Sequence, residues 1–438
     1  MSNTKKDKQF FTVARVFFLL IVIPLSLMAI LIANGIFKLG VTVKEKAVTA
    51  LDPKSQEGIK ILATNVADEV AGFLTERKKD LLIATILPQT EQSYKQFVNE
   101  NKRDIWTKAD GNIVKVSALL YPEMSLVDKN GMELIKIVNG EAVSKDKLVN
   151  VANPANTTYK TEDYFVKAKS LSKGEVYVSN VTGMYVSRAD FDKGKRFAGV
   201  IRFATPVFDQ SGFAGVLEFA LDVKHLAEFT DRIIPTQAEP VYEADTATGN
   251  YAYMVDNRGF LISHPSDYHI AGQREDGTQV PPLEEKTSGE LSKKGEEVLN
   301  LNLLGFMDPN LPQIAGEAAQ GQSGMKIYKF GGRTKFVAYA PIKFTTKDYP
   351  LPGGFGWIGM GIDVDAYNAM ALKAAQTIEK EAKSWTSTII LIMIVSMVLL
   401  FFILYLLSRG ISRSIASEVP AGSQGPGHYY SDEDEDDK

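Results

Sequence analysis

The chain has 438 residues, 45% apolar and 23% charged, a composition that belongs to folded domains, enough for two or three of them. Its formal net charge of −4, with an acidic run from Asp432 to Asp437, offers no basic field for nucleic acid. The absence of cysteine excludes disulfides, iron–sulfur clusters, thiolate zinc sites and cysteine nucleophiles, and suits an oxidising compartment such as a bacterial periplasm.

In chain order, residues 1–15 carry Lys5, Lys6, Lys8 and Arg15, and the run from Val16 to Phe37 that follows is almost wholly apolar. It is long enough to cross about 30 Å of hydrocarbon, so 16–38 reads as a membrane span. A cleaved signal peptide has a shorter apolar core and a small-residue cleavage site, which this stretch lacks, and a membrane helix tolerates its Pro24. After Pro53, Ile59, Leu62, Val66, Val70 and Phe73 recur at spacings of three and four, which predicts a long amphipathic helix. A second helix is expected over Glu91 to Trp106, before strand periodicity begins at Ile113 to Leu120 and continues in short runs to about Val223.

Two elements then recur in the same order. LVDKNGMELIKI at 126–137 is echoed by MVDNRGFLISHP at 254–265, each a strand, an Asp-x-x-Gly turn and a returning strand. VIRFATPVFDQSGFAGVLEFALDV at 200–223 is echoed by KFVAYAPIKF, a longer loop, and GFGWIGMGIDV at 354–364, both copies ending in Asp-Val before a helix. An ordered pair of repeats points to duplicated modules. The segment GEEVLNLNLLGFMDPNLPQIAGEAAQGQSG reads as a helical insert in the second copy. A connecting helix over 366–388 leads into Ile389 to Leu407, a second uncharged span. Arg409 and Arg413 follow it, so the positive-inside rule puts both ends in the cytoplasm and everything between the spans outside, although Lys373, Lys380 and Lys383 weaken the rule at the second span.

A long helix, two tandem PAS-like modules with these turns, and a final helix entering a second span resemble the double Cache sensor domain of bacterial transmembrane receptors. EDYFVKAKSLSKGEVYVS, FAGVIRFATPVFDQSGFAGVLEFALDV and YMVDNRGFLISHP carry the resemblance, over about Val41 to Trp385. It implies an α+β fold, with a membrane-distal module and the long helix over 41–235 and a membrane-proximal module over 236–365. SRGISRSIA at 408–416 resembles the start of a HAMP linker, with Ser414 where proline is usual. Residues 417–438 read as a disordered acidic tail, either unrelated sequence after a shortened receptor or a native terminus.

In such receptors the distal module usually binds the ligand. In GVIRFAT, Ile201 and Phe203 face one way and Val200, Arg202 and Ala204 the other, so Arg202 is a charge on an apolar strand. Its partner is either a ligand carboxylate or Glu218 on the returning strand. Arg188 is a second candidate cation; Tyr164, Tyr177 and Ser179 could supply hydroxyls and aromatic walls. Trp106, in RDIWTKAD with Arg103, resembles the arginine and aromatic motif of amino-acid-binding Cache modules, but the tyrosine that follows there is missing. His225 reads as solvent-facing. His264 and His269 are spaced as a turn rather than as metal ligands, so no metal or other cofactor is expected. No hydrolase or nucleotide-binding motif occurs, so the chain is not expected to be an enzyme. The expectation is a dimeric inner-membrane receptor that senses a small molecule, a carboxylate or amino acid, and drives a methyl-accepting, kinase or cyclase output. The long-helix stripe is then either dimer seam or core. A membrane-anchored binding or interaction protein without output is the alternative.

Overall fold

The computed structural model describes residues 19–39, 42, 53–109 and 111–418. The N-terminal basic residues and the tail after Glu418 lie outside them. Residues Ala50–Ala369 form one compact unit and the flanking segments another.

The flanking unit holds α1 (Leu19–Leu39), which is long and apolar enough to cross a membrane. In the compact unit, α2 (Pro53–Ala84) buries Ile59, Ala63, Val66, Val70, Leu74 and Leu81, a stripe at helical spacing. The helix α3 (Glu91–Glu100) starts at Thr90, whose hydroxyl accepts the Ser93 N–H at 3.2 Å, and ends at Asn101, whose N–H reaches the Phe97 carbonyl at 3.1 Å. It therefore stops short of Trp106, contrary to the expectation above. The next residues, KRDIWTKA, alternate in exposure and form β1 (Lys102–Ala109), which pairs along its length with β2 (Asn112–Leu119).

The first large sheet follows. Its elements are β3 (Glu123–Asp128), β4 (Glu133–Val138), β5 (Glu141–Ala142), α4 (Tyr164–Lys169), β6 (Tyr177–Val178), β7 (Thr182–Met184), α5 (Arg188–Asp192), β8 (Ala198–Asp209), β9 (Gly212–Asp222) and α6 (Lys224–Ala227). The second comprises β10 (Tyr251–Asp256), β11 (Leu261–Ser263), α7 (Ser288–Lys293), α8 (Asn310–Ala319), β12 (Gly324–Phe330), β13 (Arg333–Ile342) and β14 (Gly356–Asp363), after which α9 (Val364–Glu418) begins. Strand order is β5-β4-β3-β9-β8-β6 in the first sheet, with β7 also on β8, and β11-β10-β14-β13-β12 in the second.

The run β4-β3-β9-β8 thus matches β11-β10-β14-β13, and the agreement extends to single residues. Asp128 Oδ1 accepts the N–H groups of Asn130 and Met132, both at 2.8 Å; Asp256 Oδ1 accepts those of Arg258 and Phe260 at 3.0 and 2.9 Å. Asp128 pairs with Gly215 and Asp256 with Gly356, and a Cβ on either glycine would stand 2.0 Å from a carbonyl oxygen, of Val127 or of Val255. The architecture is α+β with two tandem PAS-like modules, and α2 packs on β8 and β9 of one sheet and on β13 and β14 of the other.

The helical insert of the second module supplies Leu301, Leu304, Leu311, Ile314 and Ala318, which pack against Tyr253, Val255 and Trp357 of the sheet. His225 is fully buried, not solvent-facing: its Nε2 lies 2.9 Å from the Leu119 carbonyl at the end of β2, and burial pushes its pKa down. His264 is buried and His269 half-buried, with ring centroids 5.1 Å apart. Among the described residues, no group of three or more metal-binding side chains is assembled. Connecting helix, second apolar stretch and the first residues after it are one continuous α9; with α1 it lines an apolar groove of about 420 Å³.

Candidate functional site

The site is built on β8. Ile201 and Phe203 join the core beneath α2, whereas Ala204 joins Tyr164, Phe165, Ala168 and Tyr177 on the other face, beneath α4. Arg202 shares that second face. It is 2% exposed, and its guanidinium lies 5.4 Å over the Tyr164 ring.

Three carboxylates surround it. Nε donates to Glu162 Oε1 at 2.6 Å, Nη1 to Glu218 Oε2 at 3.1 Å and Nη2 to Glu123 Oε2 at 2.8 Å, with a longer bond from Nη2 to Glu162 Oε2 at 3.3 Å. The register explains two of them. Arg202 and Glu123 both stand opposite Ala220 of β9, from β8 and β3, and Glu218 lies two residues along β9 from that row. Glu162 comes from the loop that enters α4. Ser125 Oγ donates to Glu218 at 2.5 Å and Thr158 Oγ1 to Glu123 at 2.9 Å.

Burial opposes the charge on Arg202, but Glu218, Glu123 and Glu162 override it and hold the pKa well above the ordinary value. Glu218 is pushed up, chiefly by burial. For Glu123 burial also pulls upward, yet Arg202 and Lys136 outweigh it and leave the group below the usual range. One cation against two buried acids and the half-buried Glu123 leaves excess negative charge at this face, and four of the five guanidinium N–H groups are already engaged. A ligand carboxylate would have to displace a glutamate to fork onto Arg202.

Beside the cluster lies a cavity of about 560 Å³, walled by both modules. Glu162, Asp163, Tyr164, Lys167, Tyr177, Ser179 and Arg202 line it from the first, and Arg258, Val280, Asp348 and Tyr349 from the second. The Tyr177 hydroxyl donates to Asp163 at 2.9 Å, while Arg258 is tied to Asp256 at 2.7 Å. Lys167 and Asp348 are exposed and make no ion pair among the described residues. Burial raises the pKa of Tyr164, Tyr177 and Tyr349, so each stays a neutral phenol.

Of the six side chains singled out from sequence, Arg202, Tyr164, Tyr177 and Ser179 line this cavity. Arg188 lies outside it, at another contact between the modules, with its guanidinium 4.7 Å over the Tyr268 ring and Nη1 3.3 Å from Glu297. Trp106 borders a separate cavity of about 280 Å³, where Asp231 and Asp267 are also found. Burial, with repulsion from Asp267, lifts Asp231 to about 7; burial lifts Asp267 to about 6. Glu123, Glu162 and the whole second-module wall were not singled out. The pairing of β3 with β9 joins residues some ninety apart, and loops carry no period from which a contact could be read.

A family model described as Cache domain matches residues 47–371. Comparison with curated proteins gave no match. Solved structures similar to this chain include the ligand-binding domain of the Pseudomonas aeruginosa amino acid chemoreceptor PctC in complex with GABA, at 12% identity and a TM-score of 0.39 over 70% of this chain and 99% of that one. That of the Pseudomonas fluorescens chemoreceptor CtaA with L-isoleucine gives 16% identity and 0.40, over 72% of this chain and 95% of that one. A ligand-binding domain solved with asparagine gives 15% identity and 0.36, over 75% and 98%.

Proposed function

Because the chain belongs to the Cache domain family, we propose that it is the extracytoplasmic sensing part of a two-span membrane receptor whose ligand occupies the cavity between its two modules. The observation that carries this reading is the cavity itself. It is of small-molecule size, it has aromatic and hydroxyl walls, and it abuts a buried cluster with more carboxylates than cations. A site with surplus buried negative charge favours a guest that brings positive charge, so the ligand is a small polar molecule with a cationic nitrogen.

The rest of the receptor belongs to the same proposal. Spans α1 and α9 cross the inner membrane with both chain ends in the cytoplasm, the first module lies distal to the membrane, two copies associate, and 408–416 open a HAMP linker to an output module. A ligand shifts such a receptor only by binding its two states unequally, so the cavity must differ between them.

The test is thermal melting of the full chain in detergent with putrescine, L-alanine and succinate at saturating concentration. A bound ligand at about a hundred times its Kd raises the melting temperature by several degrees. The reading predicts a rise with an amine-bearing compound that shrinks when Glu162→Gln removes one charge from the wall. Stabilisation by succinate alone, or a rise indifferent to Glu162→Gln, contradicts it.

A further inference from the structure

Two side chains of the second module grip the rims of the cavity. Gln273, 1% exposed, donates from Nε2 to the Tyr159 carbonyl at 2.5 Å and accepts the Thr161 hydroxyl on Oε1 at 3.1 Å. These are the residues just before Glu162. Its backbone is also engaged: its N–H donates to the Gly183 carbonyl and its carbonyl accepts the Tyr185 N–H, both at 2.9 Å. The approach is close enough that a Cβ on the neighbouring Gly272 would stand 2.7 Å from the Tyr185 Cα. On the other rim the hydroxyl of Tyr349, 2% exposed, donates to the Ser179 carbonyl at 2.9 Å and lies 3.2 Å from Asn180 Oδ1. Ser179 in turn exchanges bonds with Arg202: its N–H donates to the Arg202 carbonyl and its Oγ accepts the Arg202 N–H, both at 2.9 Å.

On each rim of the cavity, the first module's backbone is therefore held by a side chain from the second. We propose that Gln273 and Tyr349 are positioning residues that latch this cavity, so that its opening to solvent and the parting of the two modules along this seam are a single event. What enters the cavity rests on the function proposed above; the latch does not. Its consequence for signalling lies in the connectivity: the latching module ends at Asp363, and α9 starts at the next residue. The module that holds the latch is thus the one whose last strand runs into the second apolar helix.

The chain has no cysteine, so a single introduced thiol reports cleanly. Val280→Cys puts one on the cavity wall at a position 3% exposed, and Ala63→Cys puts one in the fully buried core under α2 as a control. The full chain in detergent is treated with methyl methanethiosulfonate. Tyr349→Phe, which removes one hydroxyl and keeps the ring, and Gln273→Ala, which also loses the bond its Oε1 accepts from Gln279 Nε2 at 3.3 Å within its own module, are each expected to speed labelling at position 280 about three- to tenfold, the change in open population that losing ordinary hydrogen bonds brings. Labelling at position 63 should stay as slow as before. Equal rates with and without the latch residues would overturn the proposal, as would a parallel rise at both sites, which means general loosening. Should Gln273→Ala fail to fold, Tyr349→Phe decides alone. No ligand enters the assay, so a failed compound screen with latch-dependent labelling would count against the ligand reading only.

Discussion

Arg202 is where the chemistry of this chain concentrates. A buried guanidinium with three carboxylates is held by geometry, and removing the cation strands the acids. Arg202→Met should therefore destabilise the chain by about 3–5 kcal/mol in chemical denaturation, whereas Tyr177→Phe, which loses only the bond to Asp163, should cost about 1 kcal/mol. An Arg202→Met chain of undiminished stability would mean that the cluster contributes nothing to the fold. Asp231 and Asp267 make a second prediction. Their folded pKa values, about 7 and about 6, lie above the ordinary 3.8, so the folded chain holds these protons where the unfolded chain releases them. Their contribution is full below the ordinary value and is lost as pH rises toward 7. Asp231→Asn should flatten the fall in melting temperature between about pH 4 and about pH 7; an unchanged pH profile would contradict the assignment. Strand alternation made the face of Arg202 legible, and Glu218 with it, because β8 and β9 form one hairpin with a short turn. Glu123 and Glu162 were not, since one depends on which strand lies beyond β9 and the other on a loop.

At the scale of elements, α2 is the common support of both sheets. Leu74 is fully buried on it and Ile61 is about half exposed. Leu74→Ala should cost about 2–5 kcal/mol, and Ile61→Ala should stay within about 0.5 kcal/mol. Similar losses at the two positions would show that α2 is not seated on the sheets as described. The spacing of the stripe on α2 is enough to make it helical, but whether it is core or dimer seam depends on the sheets, because periodicity records that a face is covered and not by what. The duplicated hairpins were legible for the opposite reason. Each is contiguous, and its Asp-x-x-Gly turn and tightly packed glycine are local demands that the sequence meets twice. Gly215→Ala and Gly356→Ala press a methyl against a carbonyl in equivalent places, so both should destabilise, by about 1–3 kcal/mol each. Trp106 shows the limit of such reading: the helix expected over Glu91 to Trp106 stops at the cap at Asn101, and strand alternation begins at Lys102.

For the whole molecule, the two apolar helices and the paired modules could be read along the chain, and the cavity between the modules could not. Tyr349 and Ser179 meet across 170 residues, and no local pattern announces such a contact. The two-span arrangement is tested without a ligand. An impermeant maleimide added to cells with a permeabilised outer membrane should label Glu141→Cys, in an exposed position of the first sheet, and spare Ser408→Cys until the inner membrane is opened. The reverse pattern would invert the topology. The central claim, that a small molecule is sensed in the cavity shared by two modules, is tested most directly by calorimetric titration of the full chain with whichever compound of the panel stabilises it, beside an Ala271→Trp variant whose indole fills the space. The account predicts saturable binding to the first and none to the second; equal binding to both would put the ligand elsewhere.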